Sequence, residues 1–162
     1  DQPLLGARVP PSAGRALPGH ALPPSDQEWA LRICPTHGPG DCLGAVVVLD
    51  GEVIAKAANR VMQDKDASGH AELLAIREAC QKLESEQLVD CDLYTTLEPC
   101  MMCAGIISLA RLKRLYYGAS DQKRGGVFWF EHETCHHKPE IYGGIAEIQC
   151  SKLVKSFFEN LR

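Results

Sequence analysis

Two short stretches constrain this chain more than anything else in it. They are His70-Ala71-Glu72 and, further on, Pro99-Cys100-Met101-Met102-Cys103. Cys100 and Cys103 are three apart, so on a helix they share one face. Both fall at the start of a helix opened by Pro99, where the helix dipole favours thiolate and suits metal ligation. His70 opens a second predicted helix. A fold that brings two helix starts to one point presents one nitrogen and two sulfurs to a single zinc ion. Glu72 lies about 200° round an ideal helix from His70, so the two cannot be neighbours on a regular face. The simple solution puts the ion off the helix end, with His70 as ligand and Glu72 beside the open position. Three protein ligands leave the fourth site to water, which is a catalytic arrangement. Zinc lowers the pKa of that water, and an adjacent carboxylate can move its proton. Taken singly, a CxxC is often a structural half-site or a redox pair, and an HxE on a helix is usually surface. Their order, each following a loop and opening a helix, favours the catalytic alternative.

The rest of the pattern supplies a frame. Leu43–Leu49 and Glu52–Ala57 read as strands joined by Asp50-Gly51, a strong two-residue hairpin signal. A polar loop runs over 59–69. Leu73, Leu74, Ile76, Ala79, Cys80 and Leu83 recur at helical spacing, which predicts a helix over 70–83. A strand over 92–96, a helix over 100–109 and a strand over 113–118 come next. Residues 119–140 show no period. A final helix from 145 or 146 to 161 is expected to turn Ile148, Leu153, Val154, Phe157 and Phe158 inward. A hairpin followed by alternating helix and strand implies an α/β, three-layer α/β/α architecture: a mixed central sheet of about five strands with helices on both faces.

Residues 1–24 differ from all this. They hold six of the ten prolines and no periodicity, so they read as a flexible tail preceding a single domain over 25–162. Ser25 can cap a short helix over 26–33, which Pro35, Gly38, Pro39 and Gly40 stop. With Arg8 and Arg15, the tail could also be the end of an organelle-targeting segment; otherwise the expectation is a cytoplasmic protein. At 162 residues there is room for one domain with a real core. No apolar run reaches the length of a membrane span. The net charge of −4 argues against nucleic-acid binding through bulk charge, though not against a local patch. Eight cysteines would suggest disulfides in a secreted chain, but Cys80 and Cys91 sit in apolar settings where free cysteine is a small hydrophobe.

His70-Ala71-Glu72 with Pro99-Cys100 and Cys103 is also the signature of zinc-dependent nucleobase deaminases. The chain resembles the cytidine/deoxycytidylate deaminase superfamily, and within it the bacterial tRNA-specific adenosine deaminases. The likeness runs from about Leu43 to Phe158. It is carried by Leu43-Gly44-Ala45-Val46-Val47, Asn59-Arg60, His70-Ala71-Glu72, Thr96 through Gly105, Tyr117-Gly118-Ala119, Gly143-Gly144-Ile145 and Phe157-Phe158. The resemblance implies a cytidine-deaminase-like fold and one zinc per chain on His70, Cys100 and Cys103. It implies Glu72 as the proton carrier and Asn59 as a hydrogen-bond partner of the flipped base. Ala45 would line the pocket through its backbone, and Phe157 and Phe158 would lie near neighbouring anticodon bases. The implied reaction is hydrolytic deamination of adenosine to inosine at the tRNA wobble position, by a homodimer. The apolar run Met101, Met102, Ala104, Ile106, Ile107 and Leu109 also suggests a helix with a second face to cover.

Two alternatives stay open at this point. One is a deaminase of a free base or nucleoside, such as guanine or cytosine, or of single-stranded DNA. The other is an inactive zinc-binding subunit of a heteromeric deaminase; Glu72 speaks against it. The short first helix, the Pro39-Gly40-Asp41-Cys42 entry and the Lys123-Arg124-Gly125-Gly126 loop depart from the family pattern. Arg111, Lys113, Arg114, Lys123, Arg124 and Lys138 form the best basic patch for phosphates, with Lys123 and Arg124 as candidate substrate contacts. Cys34, His37 and Cys42 read as an ordinary loop rather than a second metal site. Cys135-His136-His137 reads as a loop near the rim of the site.

Overall fold

Asp50 and Gly51 turn the chain back with positive φ at both positions (50° and 79°), the geometry that matches the twist of the flanking strands. In the computed structural model, which describes residues 43–160, this turn joins β1 (Gly44–Leu49) to β2 (Glu52–Ala58). A single helical turn, α1 (Val61–Asp64), precedes α2 (Ala71–Leu83). Then come β3 (Cys91–Leu97), α3 (Met101–Leu109) and β4 (Arg114–Ala119). A 3-10 turn over Val127–Glu131, β5 (Glu140–Tyr142) and α4 (Glu147–Asn160) complete the domain. The tail, the 26–33 helix and the Cys34, His37, Cys42 group lie outside the described residues.

The sheet runs β2-β1-β3-β4-β5. β1 is antiparallel to β2 and β3, while β3 with β4 and β4 with β5 are parallel. Every strand but β1 therefore points the same way. The carboxyl ends of β2, β3 and β4 meet along one edge of the sheet, where the connecting loops of open α/β sheets commonly build their sites.

Alternation along each strand sorts side chains to two faces. Ala45, Val47, Ala55, Leu93, Leu115 and Tyr117 form one core with Ala71, Ala75, Ile76 and Ala79 of α2 and with Ala104 and Ile107 of α3. Alanine at the buried positions of α2 lets the helix sit close to the strands while keeping high helix propensity. Val46, Tyr94, Tyr116 and Ala119 face the other way and pack with Ile145, Ala146, Cys150 and Val154 of the α4 segment. On that face Tyr94, Tyr116 and Tyr142 are in register and stack, with ring centroids 4.5 and 5.0 Å apart. The three-layer expectation holds.

Three expectations change. The region 119–140 contains a 3-10 turn and leads into β5. The last helix is rotated from the face expected for it: Ile148 is 71% and Phe158 50% exposed, while Cys150 is buried. On a regular helix Ile148 lies about 160° and Phe158 about 80° from Cys150, so one stripe cannot hold all three. The six cations do not form one patch either. Lys123 and Arg124 come after the carboxyl end of β4, whereas Arg111, Lys113, Arg114 and Lys138 gather at its other end, about 20 Å away along a strand of this length. There Arg114 is held by Asp92 at 2.7 Å, and Lys138 pairs with Glu131. No helix among the described residues is long and apolar enough to cross a membrane.

Candidate active site

Two loops leave the carboxyl ends of β2 and β3, and each ends in a helix start. The first closes on itself. The Arg60 N–H donates to the Gly69 carbonyl at 2.9 Å, so Asn59 and His70 flank one closed turn. Asn59 is fixed in it: its N–H donates to the Leu43 carbonyl at 2.9 Å, and its side-chain oxygen accepts the Val61 N–H at 3.2 Å. His70 is the N-cap of α2, with extended backbone (φ −74°, ψ 145°), and Glu72 sits in the first turn. His70 is thus outside the helix proper, which resolves the angular problem posed by its spacing from Glu72.

The second loop repeats the device. Cys100 caps α3 with extended backbone (φ −72°, ψ 175°), so the helix starts one residue later than a helix begun at Cys100. Cys103 sits in the first turn and is fully buried. The Nδ1 atom of His70 lies 3.5 Å from Cys100 Sγ and 3.6 Å from Cys103 Sγ. The three candidate ligand atoms lie within 4.8 Å of one another, and among the described residues this is the one such group. One nitrogen and two sulfurs at that spacing fit a tetrahedral ion with one position left over, and borderline-soft zinc suits that donor set.

The site is also unusual electrostatically. A hydrogen bond from the Cys103 thiol, with help from backbone N–H groups and His70, draws Cys100 down to about 5 against the opposing effect of burial. Cys103 is pushed up by its hydrogen bond to Cys100, by burial and by Glu72. Burial pushes Glu72 up to about 7, while a backbone hydrogen bond, His70 and Cys103 pull the other way. A carboxyl poised near neutrality beside a candidate metal centre is equipped to take and return a proton.

The remaining expected residues fall at different distances from this centre. The loop carrying Lys123 and Arg124 is fastened to it, because Gly125 bridges to Cys100 and the Gly126 N–H donates to the Pro99 carbonyl at 2.7 Å. Both cations are exposed. Ala45 is fully buried in β1 beneath α2, paired with Ala57 and Thr95. Phe158 is on α4, across the sheet from α2 and α3; the side chain of Phe157 lies outside the described part of the chain. Cys135 and His137 are not at the rim. They are tied to Ser108 and to the Leu112 carbonyl, at the far end of α3 from Cys100.

One group at the site is not among the residues expected from the sequence. Glu98 is only 6% exposed, and its Oε2 accepts the Asp121 N–H at 2.9 Å. A local signal for it does exist: an acid directly after a buried strand and directly before the Pro99-Cys100 turn cannot be a casual surface residue.

A family model described as MafB19-like deaminase matches residues 36–162. A tRNA-specific adenosine deaminase of Agrobacterium fabrum (strain C58 / ATCC 33970) is 50% identical over 124 residues, covering 74% of this chain and 82% of its own length. That of Bacillus subtilis (strain 168) is 40% identical over 124 residues, with 74% and 77% covered. Among solved structures, one concerned with A-to-I editing by tRNA:A34 deaminases at the wobble position superposes with a TM-score of 0.67 at 51% identity. It covers 69% of this chain and 84% of that one. A guanine deaminase from Bacillus subtilis gives a TM-score of 0.51 at 38% identity, covering 65% and 72%.

Proposed function

The chain belongs to the MafB19-like deaminase family, and from that premise we propose that it is a zinc-dependent hydrolase converting adenosine to inosine at the wobble position of a tRNA anticodon loop. The observation that carries the deaminase chemistry is the convergence of His70, Cys100 and Cys103 beside a half-buried Glu72. The substrate is supported by relatives 40–50% identical named as tRNA-specific adenosine deaminases and by the likeness to a tRNA:A34 deaminase structure.

His70, Cys100 and Cys103 would hold zinc, one per chain. Bound there, the ion supplies Lewis acidity toward a water molecule. The other steps fall to this chain's residues. Glu72 accepts a proton from the attacking water as oxygen bonds to C6 of adenine. It gives that proton to N1 of the base, then carries the proton of the new C6 hydroxyl to N6, so that the C6–N6 bond breaks to release ammonia and leave the inosine carbonyl. Burial raises its pKa from the ordinary carboxylate range, which suits a group that must both take and return a proton. The adenine must be splayed from the loop to reach Glu72. Asn59, beside His70, hydrogen-bonds the flipped base, over a floor that includes the Ala45 region. Lys123 and Arg124 meet the RNA backbone, while Phe157 and Phe158 stack on flanking bases. The exposed Met101, Met102 and Leu109 of α3 form the face through which two copies pair as a homodimer. The protein acts in the cytoplasm.

A free-base substrate is the second reading, favoured by the likeness to the Bacillus subtilis guanine deaminase structure. Turnover of an anticodon stem-loop and of free guanine, at low and raised ionic strength, separates the two. The stem-loop is expected to yield inosine, with activity falling steeply as salt is added because phosphate contacts release counterions. Salt-insensitive deamination of guanine with no inosine in the stem-loop would reverse the assignment. Elemental analysis is expected to give one zinc per chain, and light scattering a dimer mass.

A further inference from the structure

We infer that Glu98 is a positioning residue whose carboxylate clamps the 121–126 loop onto the Cys100 turn, and so sets where Lys123 and Arg124 meet the substrate. The inference rests on the tRNA reading above for the identity of that substrate, but the clamp itself is built from contacts within the chain. Glu98 stands between β3 and the Pro99-Cys100 turn, and it is nearly fully buried. Its Oε2 accepts the Asp121 N–H at 2.9 Å, at the root of the loop. Asp121 in turn organises the rest of the loop: its carboxylate accepts the Lys123 and Arg124 N–H groups, each at 2.9 Å, and its carbonyl accepts the Gly125 N–H at 3.0 Å.

The two glycines show how closely the parts fit. A methyl group on Gly125 would come within 2.4 Å of the Glu98 carboxylate, and one on Gly126 within 2.5 Å of the Cys100 and Met101 backbone. The loop therefore lies flat against both the acid and the metal-ligand turn. Gly126 adds a hydrogen bond to the Pro99 carbonyl, and Gly125 the bridge to Cys100. The same short stretch that ends in the ligand Cys100 begins with the acid that holds the basic loop. Metal turn and phosphate-binding loop are thereby set at one separation. A buried carboxylate accepting a main-chain N–H is a charge-assisted contact, stronger than the neutral hydrogen bonds beside it.

The test uses the full chain with zinc, steady-state kinetics on an anticodon stem-loop, and hydrogen exchange over 121–126. Glu98→Ala is expected to raise KM by about tenfold or more while kcat stays within about threefold, since misplaced contacts cost binding before chemistry here. Zinc content should be unchanged, and the Asp121 amide should exchange faster. Glu98→Gln keeps an oxygen for that amide and should return KM to within about threefold of the parent. Once Lys123→Ala and Arg124→Ala are both in place, Glu98→Ala should raise KM no further, because the effect passes through those cations. Should Glu98→Ala not fold, Gly125→Ala is expected to give the same split between KM and kcat. Parental KM and parental Asp121 exchange in these variants would overturn the clamp, as would an equal further loss after both cations are removed, or loss of zinc and kcat together. A parent that forms no inosine but shows the Glu98-dependent exchange would overturn the substrate reading and leave the clamp standing.

Discussion

The two ends of the sheet hold polar groups in opposite ways. At the amino end of β3 and β4, charges are paired off. Asp92 and Arg114, both mostly buried, meet at 2.7 Å, and the His137 ring donates to the Leu112 carbonyl at 2.7 Å. At the carboxyl end His70, Glu72, Cys100 and Cys103 converge on one point, and the acidities of the last three are displaced from ordinary values. Both ends take polar atoms out of water, which is costly unless they are matched. At one end the partner is a neighbouring side chain or carbonyl. At the other the polar groups lean on one another: Cys103 hydrogen-bonds with Cys100 and Glu72, and His70 Nδ1 lies 3.5 and 3.6 Å from the two sulfurs. Burial of charge alone does not point to chemistry; convergence of one nitrogen and two sulfurs beside an acid does.

The sharpest way to break this contrast is Glu72→Ala. It is expected to lower kcat by about 10²- to 10⁴-fold, the usual scale for a positioned acid–base group, while zinc content and the unfolding midpoint hold. Single-turnover rates and elemental analysis check it; a loss under about tenfold would return Glu72 to an ordinary buried acid. Asp92→Ala probes the other end. It strands the Arg114 guanidinium, so urea unfolding should show a loss of about 1–3 kcal/mol, with kcat/KM per folded molecule unchanged. A fall in kcat/KM with intact stability would mean that the two ends do not divide their work as described. The smallest effect is expected from Ile148→Gln, within about 0.5 kcal/mol by the same unfolding measurement, because the side chain already faces solvent.

What could be read from the sequence depends on the range over which each signal acts. The Asp50-Gly51 hairpin and the alanine-rich face of α2 are specified within a few residues, and the structure has them where expected; it also brings His70, Cys100 and Cys103 together. β5 is three residues long and has no period to find; it exists because β4 offers it a parallel partner and Tyr116 offers Tyr142 a ring. The buried face of α4 is not legible locally because its apolar residues spread round the helix, and only packing against Gly118 and β4 decides that Cys150 turns inward. Glu98 belongs to a recognisable motif, yet its task depends on Asp121 and Gly125, which the fold, not the local sequence, brings beside it.

The tyrosine stack makes one motion of the molecule visible. Three phenol rings at 4.5 and 5.0 Å tie the short edge strand to the two strands inside it, and they are packed closely enough for their electronic transitions to couple. The near-ultraviolet dichroism of the tyrosine band thus depends on β5 being docked, whereas the far-ultraviolet signal is dominated by helices that do not need it. A three-residue edge strand, held by its pairing, the Tyr142 ring and the half-buried Ile141, is where native-state opening begins at least cost. On gentle heating, the part of the aromatic signal that comes from the Tyr116–Tyr142 contact should fall ahead of the helical one, while the Tyr94–Tyr116 part stays with the inner strands.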